Sequence, residues 1–269
     1  MKQISILGCG WLGFPLAKAL LENGFSVKGS TTSQEKLSVL ENSGIQPYLI
    51  SLESNSISGG IEVFLNESAT LIIDIPPKLR GNTKEDFVGK IETLLPFIEK
   101  SAVENVLFIS STSVYGDTST ALSVTEETKT CPETESGRQL VQSEQLLQSN
   151  TNFKTTILRF GGLIGEDRHP VHFLAGRKNL ENPKAPINLI HQKDCIGIIQ
   201  KIVELDCWNG TFNAAAPFHP SREEYYTKKA LDLGLALPEF NFESPTFGKT
   251  ILSDKVKNVL GYTFAKPNL

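Results

Sequence analysis

Long apolar runs, paired cysteines and an excess of positive charge are all missing from this chain of 269 residues. No window approaches the roughly 18 apolar residues that a membrane-spanning helix needs, so we expect no membrane association. The four cysteines lie far apart without C-x-x-C spacing, which argues against a metal site or a disulfide framework and favours a reducing compartment. With 26 basic and 30 acidic residues the formal charge is −4, so nucleic acid is not an expected partner.

The composition is that of a folded protein. Hydrophobic residues make up 39% and charged residues 21% of the chain, which is enough to bury a sizeable core. The length fits one large α/β domain or a nucleotide domain with a small cap. Met1 leads directly into a glycine motif, without the basic stretch and apolar core of a secretory leader, so we expect a cytoplasmic protein.

Strand-like and helix-like stretches alternate from the first residues. Residues 4–7 predict a strand, an amphipathic helix follows, and a second strand is predicted at residues 25–29. This β-α-β-α-β opening indicates a parallel sheet. The apolar run at residues 71–75, interrupted only by Asp74, and the apolar run at residues 106–109 predict two buried central strands.

The second half of the chain is less regular. Residues 117–135 are rich in Ser, Thr and acidic side chains and predict a surface loop. The α/β alternation lapses over residues 165–186, and it resumes where Asp194 is placed to cap a helix. From Pro217 onward the tail is predicted to be irregular and to form part of a small cap.

A glycine motif lies between the first strand and the first helix. It has the form G-x-G-x-x-G, which turns tightly and aims backbone N–H groups at a pyrophosphate. The alternative is a tight turn that only packs the helix closely on the strand, but the β-α-β setting favours dinucleotide binding. The predicted cofactor-binding residues here are Gly8, Cys9, Gly10, Trp11, Leu12 and Gly13.

The end of the second strand bears on the choice between NAD and NADP. An acidic residue about 20 positions after the motif would hold the ribose hydroxyls of NAD, but the sequence has Ser30, Thr31 and Thr32 there. Hydroxyl groups can donate to a 2′-phosphate, and Lys28 or Lys36 could add positive charge. NADP is therefore favoured over NAD, and a simple polar turn is the alternative.

Several longer motifs resemble those of extended short-chain dehydrogenase/reductases. Residues 108–116, with the sequence Phe-Ile-Ser-Ser-Thr-Ser-Val-Tyr-Gly, closely resemble the end of the fifth strand in sugar-nucleotide epimerases of that family. Residues 158–165, 188–191 and 260–262 resemble later family landmarks in the right order. The chain is most similar to an atypical bacterial branch described as NAD-dependent epimerase/dehydratases or nucleoside-diphosphate-sugar epimerases.

The catalytic pattern departs from that family. The resemblance implies that Ser111 hydrogen-bonds a substrate oxygen, while a Tyr-x-x-x-Lys motif carries the proton transfer. Aligning the family glutamate with Glu144 puts Leu140 at the Lys position and Ser136 at the Tyr position. Tyr115 is the nearest remaining phenol in the sequence and could carry the proton transfer. The alternative is a structural role in which its ring packs beneath the loop. The candidate catalytic residues are therefore Ser111, Tyr115 and Ser136.

The resemblance implies further contacts at strand ends and neighbouring loops. Additional cofactor contacts are expected at Ser51, Leu52, Ile75, Pro76, Pro77, Ser110, Phe160 and Gly161. Substrate contacts are expected at Arg138, Gly162, Arg168 and His191. The alternatives are a solvated helix residue for Arg138, a surface charge for Arg168 and a structural residue for His191. His169 is expected to be exposed.

Together these features predict a Rossmann-type α/β fold, a doubly wound parallel sheet with a small C-terminal substrate-binding cap. The sheet domain is expected over residues 1–165, rejoined by 188–216, and the cap over 166–187 and 217–269. One hypothesis is an NAD(P)-dependent oxidoreductase or epimerase/dehydratase that acts on a small molecule such as a nucleotide sugar. The other is a catalytically inactive NADP-binding sensor or regulatory module. The resemblance also implies a homodimer formed by the helices near residues 87–98 and 137–148.

Overall fold

A computed structural model describes residues 2–77, 79, 85–119 and 122–269 of the chain. The strands are β1 (Gln3–Leu7), β2 (Ser26–Thr31), β3 (Gln46–Leu49), β4 (Ser51–Leu52), β5 (Ile57–Ser58), β6 (Ser68–Ile73), β7 (Asn105–Ser111), β8 (Ser123–Val124), β9 (Lys154–Phe160), β10 (Gly162–Ile164), β11 (Leu189–His191), β12 (Thr211–Ala214) and β13 (Thr250–Ile251). The α-helices are α1 (Gly13–Glu22), α2 (Lys36–Asn42), α3 (Ile61–Leu65), α4 (Phe87–Glu99), α5 (Glu135–Ser149), α6 (Val171–Leu174), α7 (Gln192–Glu204), α8 (Arg222–Asp232) and α9 (Asp254–Leu260), and a 3-10 turn spans Thr112–Val114.

A seven-stranded sheet organises the fold. Its order is β12-β9-β7-β6-β1-β2-β3, and β1 pairs in parallel with both β2 and β6. The β2–β3 and β6–β7 pairs are parallel as well. The strand order reverses between β1 and β6, which is where ligands bind in doubly wound sheets. The predicted α/β fold and parallel sheet are confirmed.

The two long apolar runs form the buried centre of this sheet. Strands β6 and β7 lie side by side with almost all of their side chains shielded from solvent, as the prediction of central strands requires. Phe87 of α4 stacks on Phe108 of β7 with 6.3 Å between ring centroids, which packs the helix against the strand. Helix α4 begins where the Asp86 carboxylate accepts the Gly89 N–H, and α5 begins where the Thr134 hydroxyl accepts the Gly137 N–H.

Two compact units divide the chain. The first consists of residues 1–111, 134–159 and 196–212, and it contains the glycine motif. The second consists of residues 112–133, 160–195 and 213–269. The domain limits expected from the sequence stay a prediction. Within the described residues, every helix is too short or too polar to cross a bilayer.

The second unit has its own apolar core and a regular tail. Tyr225 and Tyr226 of α8 pack with Val171 of α6 in this core. The expectation of an irregular tail after Pro217 is wrong, because α8, β13 and α9 all lie in it. Helix α8 begins with a capping box in which Ser221 and Glu224 satisfy each other's backbone N–H groups. The predicted loop at residues 117–135 also contains β8, which pairs in parallel with β13.

Asp194 does not cap a helix, which corrects the expectation from the sequence. Helix α7 already begins at Gln192, and Asp194 lies in its first turn with no exposed surface. Its carboxylate accepts hydrogen bonds from the Tyr262 hydroxyl at 2.8 Å and from the backbone N–H groups of Ala265 at 2.6 Å and Lys266 at 3.1 Å. Asp194 therefore anchors the C-terminal segment.

Candidate functional site

The three glycines of the first loop have three different surroundings. Gly8 has a φ of +108°, which only glycine adopts readily, and an added side chain would overlap the Asp74 carbonyl. A side chain on Gly13 would overlap the Gly8 carbonyl, so Gly13 allows α1 to pack closely on the loop. A Cβ on Gly10 would meet no atom within 4 Å. Gly10 therefore lies beside open space.

Hydrogen bonds connect this loop to the end of β2. The Gly8 N–H donates to Ser30 Oγ at 2.9 Å, and the Cys9 N–H donates to the Ser30 carbonyl at 2.7 Å. Ser30 is buried, so its hydroxyl holds the loop in place from inside the protein. Leu12 is also buried, while Trp11 is half-buried.

The side chains at the end of β2 face different ways. The Thr31 hydroxyl is buried and accepts the Ser33 N–H at 3.1 Å, whereas Thr32 is exposed. Lys36, at the start of α2, is exposed as well. The idea that Lys28 adds charge to a phosphate site is wrong. Its ammonium is buried and donates to the carbonyls of Val63 at 2.9 Å and Asn66 at 2.6 Å, at the end of α3.

The remaining sequence-predicted cofactor contacts of the first unit lie in two places. Ser51 and Leu52 form β4, where the Ser51 hydroxyl donates to the Glu53 carboxylate at 3.2 Å. Residues 75–77 lie one residue beyond the end of β6, and the Ile75 side chain would lie 3.1 Å from a Cβ on Gly8. Pro76 is exposed and Pro77 half-buried. Ile75 therefore lies against the glycine loop.

A buried polar cluster connects α5 to β7 and β9. Arg159 binds the Glu144 carboxylate through Nη2 at 2.6 Å and through Nε at 3.1 and 3.2 Å. The Ser110 hydroxyl donates to the same carboxylate at 2.6 Å. All three residues are buried. The cluster fixes the register of α5 against the strands, so Ser110 has a structural partner inside the protein.

Helix α5 also carries the positions where the resemblance places the catalytic pair. Ser136 is half-buried in the first turn of α5, and Leu140 is buried in the core at 3% exposure. Arg138 is exposed and forms an i,i+3 ion pair with Glu135 at 2.9 Å. Ser111 is half-buried at the end of β7.

Tyr115 belongs to the second unit and is almost fully buried. Its hydroxyl donates to Asn213 Oδ1 at 3.0 Å, and the Asn213 backbone N–H donates to the Glu126 carboxylate at 2.7 Å. The Lys249 ammonium donates to the Tyr115 carbonyl at 2.9 Å and pairs with Asp117 at 2.8 Å. These contacts give the Tyr115 ring and backbone a structural role in their loop.

Two glycines after β9 allow backbone segments of the second unit to approach each other. The Gly161 N–H donates to the Ala214 carbonyl at 2.9 Å, and the Gly162 N–H donates to the Asn188 carbonyl at 2.7 Å. A Cβ on Gly161 would lie 2.6 Å from the Asn188 oxygen, which is too close for any other residue. Phe160 is buried beside them.

His169 is buried, and the expectation that it is exposed is wrong. The Val171 N–H donates to Nδ1 at 3.1 Å, so the neutral ring carries its proton on Nε2 and donates it to the Tyr225 hydroxyl at 2.9 Å. Burial lowers the pKa of His169 to about 4. Arg168 beside it is exposed, in a tight turn with Gly165.

His191 precedes α7 and is largely buried. Its Nδ1 accepts the Lys193 N–H at 3.1 Å. The His191 ring therefore caps the start of α7, which is the role that the sequence predicted for Asp194. Nε2 lies 3.8 Å from the Glu166 carboxylate, and burial lowers the pKa of the imidazole. Across the described residues, no three His, Cys, Asp or Glu side chains gather into a group that could hold a metal.

Asp74 is a site residue that the sequence reasoning did not select. It follows β6, its backbone N–H donates to the Leu7 carbonyl at 2.9 Å, and its carboxyl accepts the Gly13 N–H at the start of α1. Burial raises the pKa of this carboxyl to about 8, although the Gly13 hydrogen bond opposes the increase. The available signal was a single charged residue within the apolar run at residues 71–75.

Comparison with known proteins decides the family. Protein YeeZ of Escherichia coli K12 is 34% identical over 271 aligned positions, which cover 100% of this chain and 97% of YeeZ. The chain belongs to the YeeZ family. No protein-family model matches it.

Solved structures share the fold of this YeeZ family member. A functionally unknown conserved protein from Silicibacter pomeroyi has a TM-score of 0.80 at 22% identity, covering 100% of this chain and 95% of its own. UDP-glucuronic acid 4-epimerase from Bacillus cereus, solved with UDP-glucuronic acid and NAD, has a TM-score of 0.80 at 19% identity, covering 98% and 94%. The fold is that of NAD-dependent epimerase/dehydratases and the short-chain dehydrogenase/reductase superfamily, as the sequence motifs predict.

Proposed function

We propose that this protein binds a nicotinamide dinucleotide through the glycine loop before α1. The observation that carries the proposal is the open space beside Gly10, between two glycines that close packing requires. Because no Cβ occupies that space, a pyrophosphate can approach the backbone N–H groups at the start of α1. The Bacillus cereus epimerase of the same fold was solved with NAD, which supports the same ligand class here.

We infer that NADP is preferred over NAD. Near the end of β2 the exposed residues include Thr32, Glu35 and Lys36, and residues 30–33 contain no carboxylate. A hydroxyl and an ammonium attract a 2′-phosphate, whereas the carboxylate typical of NAD sites would repel it. Ser51 and Leu52 are the proposed contacts near the adenine.

The proposed reaction class is oxidoreduction or epimerisation/dehydration of a small polar substrate such as a nucleotide sugar. The bound dinucleotide would supply hydride transfer, while Ser111 would hold the substrate oxygen. The proposed substrate contacts are Arg138, Gly162, Arg168 and His191. Tyr115 and Ser136 remain candidate proton-transfer groups, although the hydrogen bond from Tyr115 to Asn213 favours a structural role for that phenol.

The second candidate function is a dinucleotide sensor or regulatory module without catalysis. It is favoured by the register of α5, in which Glu144 pairs with Arg159 and Leu140 is buried as an apolar side chain. In this register no ammonium group occupies the position four residues before Glu144. A tyrosine at working pH needs such a neighbour to lower its pKa of about 10.

We also propose a homodimer that uses the outer faces of α4 and α5. These helices pack against each other, and a shallow groove between them is lined by Val88, Glu92, Gln142 and Leu146. Sedimentation velocity on the purified chain distinguishes a dimer from a monomer of 29.5 kDa.

Substitutions at Gly10 test dinucleotide binding with little risk to folding. Because a Cβ there would meet no atom within 4 Å, Gly10→Asp should keep the unfolding temperature of the wild type while placing a carboxylate where the pyrophosphate is proposed to bind. We expect NADPH affinity to fall at least tenfold, equivalent to about 1.4 kcal/mol. Gly60→Ala is the matched control, because its Cβ meets only a single atom, 4.0 Å away and on Val63. Unchanged affinity in Gly10→Asp would contradict the proposed site.

Turnover separates the two functions. A panel of carbonyl compounds and sugar nucleotides, assayed with the cofactor-loaded protein, should yield at least one substrate if the chain is an enzyme. No turnover, together with a conformational or partner-binding change that differs between NADPH and NADP, supports the sensor. A redox sensor must bind NADPH and NADP with different free energies, because only such a difference can shift its conformational equilibrium. Equal binding of the two forms without turnover therefore rules out both functions.

A further inference from the structure

The carboxyl group of Asp74 lies directly against the glycine loop. One of its oxygens would lie 3.1 Å from a Cβ on Gly13, and it accepts the Gly13 N–H. The backbone of Asp74 is fixed too, since its N–H donates to Leu7 and its carbonyl lies where a side chain on Gly8 would be. The carboxyl thus occupies a defined position at the start of α1.

This position matters because the first N–H groups of a helix have no acceptor within the helix itself. They attract anions, which is why pyrophosphates bind at this point in doubly wound folds. An ionised Asp74 places a negative charge at the same helix terminus. A neutral Asp74 removes that charge and leaves the terminus able to attract phosphate.

The surroundings of Asp74 set its ionisation near neutral pH. Burial raises the pKa of the carboxyl to about 8. Within the described residues, Cys9 on the glycine loop is the titratable side chain that interacts with it electrostatically. Burial raises the pKa of the Cys9 thiol to about 12, so that thiol stays neutral while Asp74 titrates.

We propose that Asp74 makes dinucleotide binding proton-linked: the neutral carboxyl admits the pyrophosphate at the start of α1, and the ionised carboxylate repels it. The inference rests on the proposed function, because it assumes that a dinucleotide binds at the glycine loop. Binding to the ionised protein then takes up one proton, which is transferred from solvent to the Asp74 carboxyl. Asp74 is a binding determinant in this account, and no catalytic step is assigned to it.

The pH dependence of affinity follows from the ionised fraction. Between pH 7 and pH 9 the neutral fraction of a carboxyl with a pKa of about 8 falls from about nine-tenths to about one-tenth. We therefore expect NADPH and NADH to bind about tenfold more weakly at pH 9 than at pH 7, with little change below pH 7. Asp74→Asn should bind equally well at both values, because the amide does not titrate.

Isothermal titration calorimetry of the wild type, Asp74→Asn and Glu41→Gln measures this directly. Glu41 is an exposed carboxylate in α2, so Glu41→Gln should keep the pH profile of the wild type. Repeating the wild-type titration at pH 9 in two buffers of different ionisation enthalpy counts the protons taken up, and about one is expected. This second measurement needs no variant, so it remains decisive if Asp74→Asn folds poorly.

Each outcome has a distinct meaning. The inference is supported if binding to the wild type weakens as the pH rises while binding to Asp74→Asn stays constant. Uptake of about one proton on binding at pH 9 supports it as well. Binding with a flat profile, or a slope that persists in Asp74→Asn, overturns the role of Asp74 and leaves the proposed function standing. Failure of both dinucleotides to bind at any pH overturns the proposed function and this inference with it.

Discussion

Removing one partner of the buried ion pair between Arg159 and Glu144 should strongly destabilise the first unit. Arg159 Nη2 lies 2.6 Å from Glu144 Oε2, and the two side chains are 8% and 3% exposed. Arg159→Met would leave a carboxylate buried without its cation, which typically costs about 3–5 kcal/mol. Glu144→Met would cost a similar amount, plus roughly 1 kcal/mol because the Ser110 hydroxyl loses its acceptor.

Urea unfolding of the two single variants and of the double variant forms a double-mutant cycle. The double variant buries no unpaired charge, so we expect it to cost at least about 2 kcal/mol less than the sum of the single variants. Lys228→Met is the control, because its ion pair with Asp232 is exposed and should contribute less than about 1 kcal/mol. Single-variant costs below 1 kcal/mol, or costs that simply add, would refute the reasoning.

Two further predictions concern the second unit. The pKa of His169 is about 4 in the folded protein and near 6.5 when unfolded, so the unfolded state takes up a proton first and stability should fall as pH drops from about 6.5 to about 4. The free energy of unfolding should fall by on the order of 3 kcal/mol over this range, and this loss should be absent in His169→Phe. Equal acid sensitivity of the wild type and the variant in urea unfolding would contradict the prediction. Asp194→Ala removes the acceptor of Tyr262, Ala265 and Lys266, so amide hydrogen exchange after Gly261 should accelerate, and unchanged exchange would show that other contacts hold the C-terminal segment.

Much of the first unit could be predicted from the sequence, because its signals are local. The strand at residues 4–7 and the apolar runs at residues 71–75 and 106–109 are each indicated by a pattern within one element. The G-x-G-x-x-G spacing likewise placed a tight turn between β1 and α1. Those features persist in the structure because the buried sheet requires the same pattern of apolar side chains.

The errors arose where partners lie far apart in sequence. Asp194 has the residue type and position of a helix cap, but its partners lie about seventy residues later, at the end of the chain. Lys28 is in a strand whose neighbour α3 supplies two carbonyl acceptors, so its charge is buried. His169 is buried because Tyr225 of α8 lies against it. The sequence around His169 gives no indication of this contact.

The candidate site could only partly be predicted from the sequence. The glycine positions follow a spacing rule, but the role of Asp74 depends on how closely the end of β6 approaches the start of α1. The Tyr115 hydroxyl bond to Asn213 joins residues 98 positions apart, which no motif encodes. Spacing rules therefore located the loop, and tertiary contacts defined the chemistry around it.

The central claim is that the glycine loop binds a nicotinamide dinucleotide, with NADP preferred. Titration of the purified wild-type protein with NADPH and, separately, NADH tests it most directly, with nicotinamide fluorescence as the signal. We predict saturable binding of NADPH in the micromolar range and much weaker binding of NADH. Binding of neither dinucleotide to the folded protein would contradict the claim and reduce the loop to a packing element.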